Sequence, residues 1–122
     1  MYQLTLEWQE ARQTKTKTIC DQLIGQNRTT VRIGRNSTQC DLVLRHPTVS
    51  ALHAEIFFNP TQHAFVLRNL RETNPPMVDG RQISHGEVPL HQGSTIHLGQ
   101  VELKVVAVCL ESELAPVATT SQ

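Results

Sequence analysis

The 122-residue chain lacks the features that mark several common classes of protein. Its three cysteines, Cys20, Cys40 and Cys109, are widely spaced and include no CxxC pair, so we expect neither a disulfide framework nor a zinc site. Eleven Lys and Arg residues balance eleven Asp and Glu residues, which leaves no net positive charge to attract nucleic acid. The sequence predicts a domain that folds without a metal or other cofactor and does not bind nucleic acid.

Long hydrophobic segments are also missing. No stretch reaches the length of about 18 consecutive apolar residues that indicates a membrane-spanning helix. The N-terminal segment MYQLTLEWQE is acidic and alternates in polarity, whereas a signal peptide is basic and then apolar. We therefore expect no membrane insertion, and a soluble protein located in the cytoplasm.

Helical periodicity is missing as well, and short runs with apolar residues at alternate positions take its place. The first run extends from Tyr2 to Trp8, and turn-forming pairs such as Asn59-Pro60 separate the later ones. The predicted strands cover residues 2–8, 13–19, 30–33, 42–44, 54–58, 64–69, 77–78, 95–98 and 101–108. Many short strands at regular spacing predict an all-β fold, either a sandwich or a barrel.

The composition changes near residue 110. Residues 1–110 are the size of a single domain, since domains most often contain about 100 to 150 residues. The remaining segment, ESELAPVATTSQ at 111–122, has too few apolar residues to pack against a core. We therefore expect one folded domain over 1–110 and a flexible C-terminal tail over 111–122.

Three loops between the predicted strands carry polar residues suited to binding an anion. Arg35 follows Gly34 at a strand end, and its guanidinium offers five donors in a fork that matches phosphate or carboxylate. Ser50 lies in the loop before the strand at 54–58, and a third loop contains Thr73 and Asn74. Because alternate loops of a sandwich emerge at the same end, these three loops are expected to converge.

Taken in order and with their spacing, the loop and turn residues resemble the forkhead-associated (FHA) domain family. The matching positions are Gly34-Arg35, Asp41-Leu42, Ser50 with His53, Thr73-Asn74, Gly80, Leu90 with Gly93, and Ile96 with Gly99. The core of the match covers residues 30–106. The resemblance implies an FHA-like sandwich of about eleven strands in two sheets, whose loops at one end bind phosphothreonine peptides.

The resemblance also implies a role for each matched loop residue. Arg35 and Ser50 match residues that bind the phosphate, and Thr73 matches a further phosphate contact. Asn74 matches the asparagine that bonds the peptide backbone. His53 matches a structural histidine that holds the loops together and does not touch the ligand.

These residue types suit a phosphothreonine ligand on chemical grounds. The phosphate carries about −1.5 to −2 charge and three strong acceptor oxygens, so it needs one cation and several neutral donors. Arg35 supplies the cation, and the hydroxyls of Ser50 and Thr73 supply neutral donors. The Asn74 amide offers both a donor and an acceptor to a peptide backbone.

The chain departs from the family pattern in and around the binding loops. Ala51 stands where a polar or basic residue is usual, and Pro75-Pro76 replaces Gly-Thr. Because proline restricts the residue before it, Asn74 is expected to be held in an extended conformation.

At another position Asp79 replaces an asparagine, and Asp79-Gly80 is still expected to form a tight turn. With Gly34 and His53, Gly80 completes the expected structural residues. The candidates for ligand specificity are Thr48, Ala51, Arg71 and Arg81.

The sequence thus predicts a signalling adaptor that binds a phosphothreonine-containing protein, the substrate of a Ser/Thr kinase. The alternative is an FHA-fold scaffold whose protein contacts do not need phosphorylation. Ser50 and His53 also suggest a hydrolase, but the chain has no Gly-x-Ser-x-Gly motif, so we expect no enzyme activity. A phosphorylated tail threonine, Thr119 or Thr120, would allow self-association through a neighbouring copy.

Overall fold

The computed structural model describes residues 2–21 and 30–110, and these form eleven β-strands and no helix. The strands are β1 (Tyr2–Glu10), β2 (Gln13–Asp21), β3 (Thr30–Gly34), β4 (Leu42–Val43), β5 (Ala54–Asn59), β6 (Ala64–Asn69), β7 (Met77–Val78), β8 (Arg81–Gln82), β9 (Glu87–Leu90), β10 (Thr95–Leu98) and β11 (Val101–Leu110). A helix long and apolar enough to cross a membrane is therefore absent from the part of the chain that is described.

The strands form two sheets that pack face to face as a sandwich. One sheet has six strands in the order β2-β1-β11-β10-β7-β8, and the other has five in the order β4-β3-β5-β6-β9. The short β3–β4 pairing is parallel, in contrast to the antiparallel pairing of β3 with β5. The predicted all-β sandwich is confirmed.

The core lies between the two sheets and follows the alternation seen in the sequence. Every second residue of β1 from Tyr2 to Trp8 is buried, while the residues between them are more exposed. Phe65 of the five-stranded sheet and Leu103 of the six-stranded sheet are both fully buried. Burying side chains of this size stabilises the fold by roughly 1.5 to 3 kcal/mol each, so the sheets provide a firm base for the loops.

Two strands were not predicted from the sequence. The first, β8, consists of only two residues, and both are exposed, so it has no hydrophobic pattern to detect. The second, β9, contains Pro89, and a proline within a run argues against a strand. The structure tolerates Pro89 because β9 pairs only with β6 and lies at the edge of its sheet.

The turn between β7 and β8 has the tight geometry that was expected for Asp79-Gly80. Both residues have positive φ, 53° for Asp79 and 84° for Gly80, which matches the right-handed twist of a two-residue hairpin. The Asp79 Oδ1 atom also accepts a hydrogen bond of 3.0 Å from the backbone N–H of Thr95. The carboxylate therefore connects this turn to β10.

Charged residues on the outer face of the five-stranded sheet pair with one another. Arg32 and Arg68 lie on either side of Glu55, with Arg32 Nε 4.0 Å from Oε1 and Arg68 Nη1 3.0 Å from Oε2 of that carboxylate. Arg68 Nη2 also lies 2.8 Å from Oε2 of Glu87. Both arginines therefore form ion pairs with carboxylates of neighbouring strands in the sheet.

The tail predicted over 111–122, with Thr119, Thr120 and the proposed self-association, lies outside the described residues. The expected boundary at residue 110 stays a prediction.

Candidate functional site

Loops from four connections meet at one end of the sandwich and surround an open cleft of about 750 Å³. The walls comprise Arg35 from the β3–β4 loop, residues 47–51 from the β4–β5 loop, Arg71 and Asn74 from the β6–β7 loop, and Gly99 and Gln100 from the β10–β11 turn. The three loops that the sequence analysis selected thus share one cleft. The β10–β11 turn, which the sequence analysis did not select, also lines it.

Arg35 is positioned by two hydrogen bonds to the β4–β5 loop. Its backbone N–H donates to the carbonyl of Ser50 at 2.9 Å, and its Nε donates to the carbonyl of Val49 at 2.9 Å. The Nε contact orients the guanidinium, and the side chain remains exposed at the cleft. The structure therefore brings Arg35 and Ser50 together, with the terminal nitrogens of the guanidinium available to a ligand.

Gly34 allows these two loops to approach each other closely. A Cβ atom at this position would lie 2.8 Å from the carbonyl carbon of Ala51 and 2.8 Å from Sγ of Cys40. The Ala51 carbonyl accepts hydrogen bonds from the Asn36 N–H and the Cys40 thiol, both at 3.1 Å. Ala51 thus contributes its backbone to loop packing and a methyl group to the cleft wall.

His53 connects the β4–β5 loop to the β6–β7 loop from a fully buried position. Its Nδ1 accepts a hydrogen bond of 3.1 Å from the Ser50 backbone N–H, and its Nε2 lies 2.8 Å from the Asn74 carbonyl. Because an N–H can only donate and a carbonyl can only accept, these partners require a neutral ring with its proton on Nε2. The ring therefore connects the two loops through one hydrogen bond to each.

The surroundings of His53 favour the neutral form. Burial lowers the pKa of the imidazole, and the positive charge of Arg71 lowers it further, while the hydrogen bond to the Asn74 carbonyl acts in the opposite direction. The pKa lies below its ordinary value of 6.5 as a result. Protonation of Nδ1 would replace the acceptor of the Ser50 N–H with a second donor.

We expect the domain to lose stability as the pH falls below about 6.5. The folded-state pKa of His53 is lowered, so in this range the unfolded chain binds the proton first. The free energy of unfolding should decrease by up to about 1.4 kcal/mol for each pH unit until the folded-state pKa is reached. Above that range, this residue should contribute no pH dependence.

Denaturant unfolding at a series of pH values would measure this effect, with the non-titrating His53→Gln variant as the control. NMR titration of the ring resonances gives the folded-state pKa directly. A value at or above 6.5 for His53 would contradict the expectation.

Asn74 reaches across the cleft to the β4–β5 loop. Its Nδ2 donates a hydrogen bond of 3.0 Å to the carbonyl of Thr48. Its φ is 55°, so the expectation that Pro75 would hold it in an extended conformation is wrong. Asparagine tolerates positive φ better than most residues, and bonds from both its side chain and its carbonyl fix this conformation. One amide hydrogen and the Oδ1 atom remain for a ligand.

Thr48 is the point at which the β10–β11 turn joins the cleft. Its hydroxyl accepts a bond of 2.8 Å from the Gln100 N–H and lies 2.8 Å from Nδ1 of His46. Gly99 packs so closely that an added Cβ would lie 2.7 Å from the Thr48 carbonyl carbon. The Thr48 hydroxyl therefore holds loops together, which limits its use in reading a ligand.

The remaining candidates occupy different places. Arg71 lies in the cleft wall, whereas Thr73 is exposed and does not line the cleft. Arg81 pairs with Val78 in the β7–β8 hairpin and lines a separate depression. The structure therefore groups Arg71, but neither Thr73 nor Arg81, with Arg35.

Sequence reasoning did not assign Gly99 and Gln100 to the site. A turn was evident at Leu98-Gly99-Gln100, and the family pattern included Gly99, but neither signal indicates which loop the turn contacts. The positive φ of Gly99, 62°, gives a further reason for glycine at this position.

The cleft has the chemistry of an anion-binding site. Among the described residues that line it, two carry guanidinium groups and none carries a carboxylate. The described part of the chain contains no cluster of His, Cys, Asp or Glu that could hold a metal ion. His53 also cannot activate Ser50, because its Nδ1 faces the backbone N–H of Ser50 and its Nε2 is bonded to Asn74.

Comparison with known proteins identifies related sequences and folds. A family model described as "FHA domain" matches residues 31–99. The FHA domain of the CT664 protein from Chlamydia trachomatis superimposes with a TM-score of 0.72 at 19% identity, and the match covers 86% of this chain and 97% of that chain. No curated protein gives a significant match.

Two further solved structures have the same fold. An FHA domain characterised for phosphothreonine-dependent interactions has a TM-score of 0.67 at 24% identity, with 84% of this chain and 94% of that chain covered. Mycobacterium tuberculosis EmbR, in complex with a low-affinity phosphopeptide, has a TM-score of 0.63 at 21% identity, with 92% of this chain and 26% of that chain covered.

Proposed function

The chain belongs to the FHA domain family, and from this premise we propose that it is an interaction module that binds phosphothreonine peptides. Its partner is a phosphothreonine-containing protein, the substrate of a Ser/Thr kinase. The observation that carries the proposal is the placement of the Arg35 guanidinium beside Ser50 in a cleft whose described lining has no acidic side chain.

The geometry of Arg35 suits a phosphate dianion. The bond from Nε to the Val49 carbonyl orients the guanidinium before any ligand arrives, which reduces the entropy lost on binding. The terminal nitrogens can then donate two bonds to phosphate oxygens, and such charge-assisted bonds contribute roughly 1.5 to 3 kcal/mol each. Ser50 lies beside this group and adds a neutral hydroxyl donor.

Asn74 suits the backbone of the same peptide. One amide hydrogen is bonded to the Thr48 carbonyl, so the side chain has a fixed orientation. The free Oδ1 and the second hydrogen can pair with a peptide N–H and a peptide carbonyl. The phosphate and the adjacent main chain would therefore be held by separate loops. The buried ring of His53 connects these two loops through its hydrogen bonds to Ser50 and Asn74.

Solved FHA-fold relatives support this proposal. The EmbR structure contains a phosphopeptide, and another relative is characterised for phosphothreonine-dependent interactions. The alternative is a scaffold that binds unphosphorylated proteins through the same loops. Its ligand would bring no phosphate to match the two guanidinium groups of the cleft, whose described lining has no carboxylate.

A pair of degenerate peptide libraries tests the proposed function. The protein is titrated with a library that has phosphothreonine at its fixed central position, and with the same library carrying threonine. We expect binding to the phosphorylated library and none to its counterpart, because the phosphate supplies the charge that the cleft matches. Equal binding of both libraries would support the scaffold, and binding of neither library would contradict the proposed function.

A further inference from the structure

We propose that Arg71 is a second phosphate-binding residue, which donates from the β6–β7 loop to the same phosphate group as Arg35. This inference rests on the proposed function and deepens it. It gives Arg71 a role in place of Thr73, and it differs from the expectation that Arg71 selects residues flanking the phosphothreonine.

The first reason is the composition of the cleft wall. Arg71 and Arg35 both line the cleft, whereas Thr73 is exposed and lies outside the wall. Ala51, also in the wall, has no polar side-chain atom to offer. The described lining therefore has only one hydroxyl not already bonded within the loops, that of Ser50, and a phosphate with three acceptor oxygens needs more donors. Arg71 is the remaining cationic donor.

The second reason is the position of the Arg71 charge. His53 Nδ1 accepts a hydrogen bond from the backbone N–H of Ser50, so the ring contacts a residue that is expected to bind the phosphate. The positive charge of Arg71 is close enough to lower the pKa of this ring. Arg71 thus lines the same cleft as Ser50 and Arg35, and its charge is felt by the ring that holds Ser50.

The third reason is that the Arg71 backbone is fixed, while its guanidinium has no carboxylate partner among the described residues. Asn69 Oδ1 accepts from the Arg71 N–H at 2.8 Å, and Asn69 Nδ2 donates to the Arg71 carbonyl at 2.7 Å. Within the described chain no carboxylate lies at ion-pair distance from Arg71, in contrast to Arg32 and Arg68. A fixed backbone with a free cation is suited to recruiting an anion from solution.

The test measures affinity for two series of phosphothreonine peptides, one with neutral flanking residues and one with aspartate at the flanking positions. Arg71→Ala should weaken binding of both series by about tenfold, because the contact it removes is with the phosphate that they share. Arg71→Lys should recover part of the loss. Arg45→Ala, at an exposed arginine outside the cleft, should stay within about twofold of wild type.

The measurements are made near pH 7.5, where His53 is neutral in wild type and variant. A loss confined to the aspartate series would overturn the inference, because Arg71 would then read a side chain. An unchanged affinity for both series in Arg71→Ala would also overturn it. If wild type binds neither series, the proposed function itself fails, and that result is distinct from a phospho-selective domain that does not depend on Arg71.

Discussion

The Arg35→Ala variant is expected to bind phosphothreonine peptides between about ten and a hundred times more weakly than the wild-type domain. The substitution removes the guanidinium and its Nε bond to the Val49 carbonyl, while the backbone bond from the Arg35 N–H to the Ser50 carbonyl remains and still connects the two loops. Isothermal titration with a peptide selected from the phosphorylated library would measure the change.

Two variants make the Arg35 result specific. Arg35→Lys keeps the charge but loses the planar fork, so its affinity should lie between those of wild type and Arg35→Ala. Arg45→Ala removes an exposed arginine that lies outside the cleft wall, and its affinity should stay within about twofold of wild type. Equal losses in Arg35→Ala and Arg45→Ala would show that overall charge, and not the position of Arg35, determines binding.

The Gly34→Ala variant is expected to lose both stability and binding. Its methyl group would meet the carbonyl of Ala51, and the β4–β5 loop would have to move away from β3. That movement would stretch the bonds from Arg35 N–H to Ser50 and from Asn36 N–H to Ala51. Crowding of this kind typically costs about 1 to 3 kcal/mol, which chemical denaturation measures directly.

A second substitution identifies which contact of the added methyl group is responsible. The methyl group would also meet Sγ of Cys40, a side chain that Cys40→Ala removes. Because the collision with the Ala51 backbone remains, the Gly34→Ala/Cys40→Ala double variant should be no more stable than Gly34→Ala. Recovery of stability or affinity in the double variant would mean that the thiol, and not the close approach of the two loops, explains the effect.

The sequence predicted the features of this domain that depend on local pattern. Alternating burial in β1 and β10, and the turn at Asp79-Gly80, follow from side-chain periodicity and turn chemistry that the chain itself carries. The positions of Arg35 and Ser50 next to strand ends also led to the expectation that their loops meet, and both residues line one cleft.

Features that depend on neighbours distant in the chain were not predictable in the same way. Asn74 adopts positive φ because His53 and Thr48 hold it, and these bonds outweigh the local preference imposed by Pro75. The outward position of Thr73 likewise depends on the path of a loop that contains two consecutive prolines. Pro89 argues against a strand at β9 when only the sequence is considered. Proline is tolerated there because β9 lies at a sheet edge, and that position depends on the order of all the strands in the sheet.

The hydrogen bond between Gln100 and the Thr48 hydroxyl joins residues 52 positions apart. Contacts over such distances form only after the intervening chain has collapsed, since loop closure must come first. A nascent chain emerging from the ribosome would therefore display Arg35 and Ser50 long before it possessed a complete cleft. A product truncated before the β10–β11 turn would lack Gly99 and Gln100, and with them one wall of the cleft.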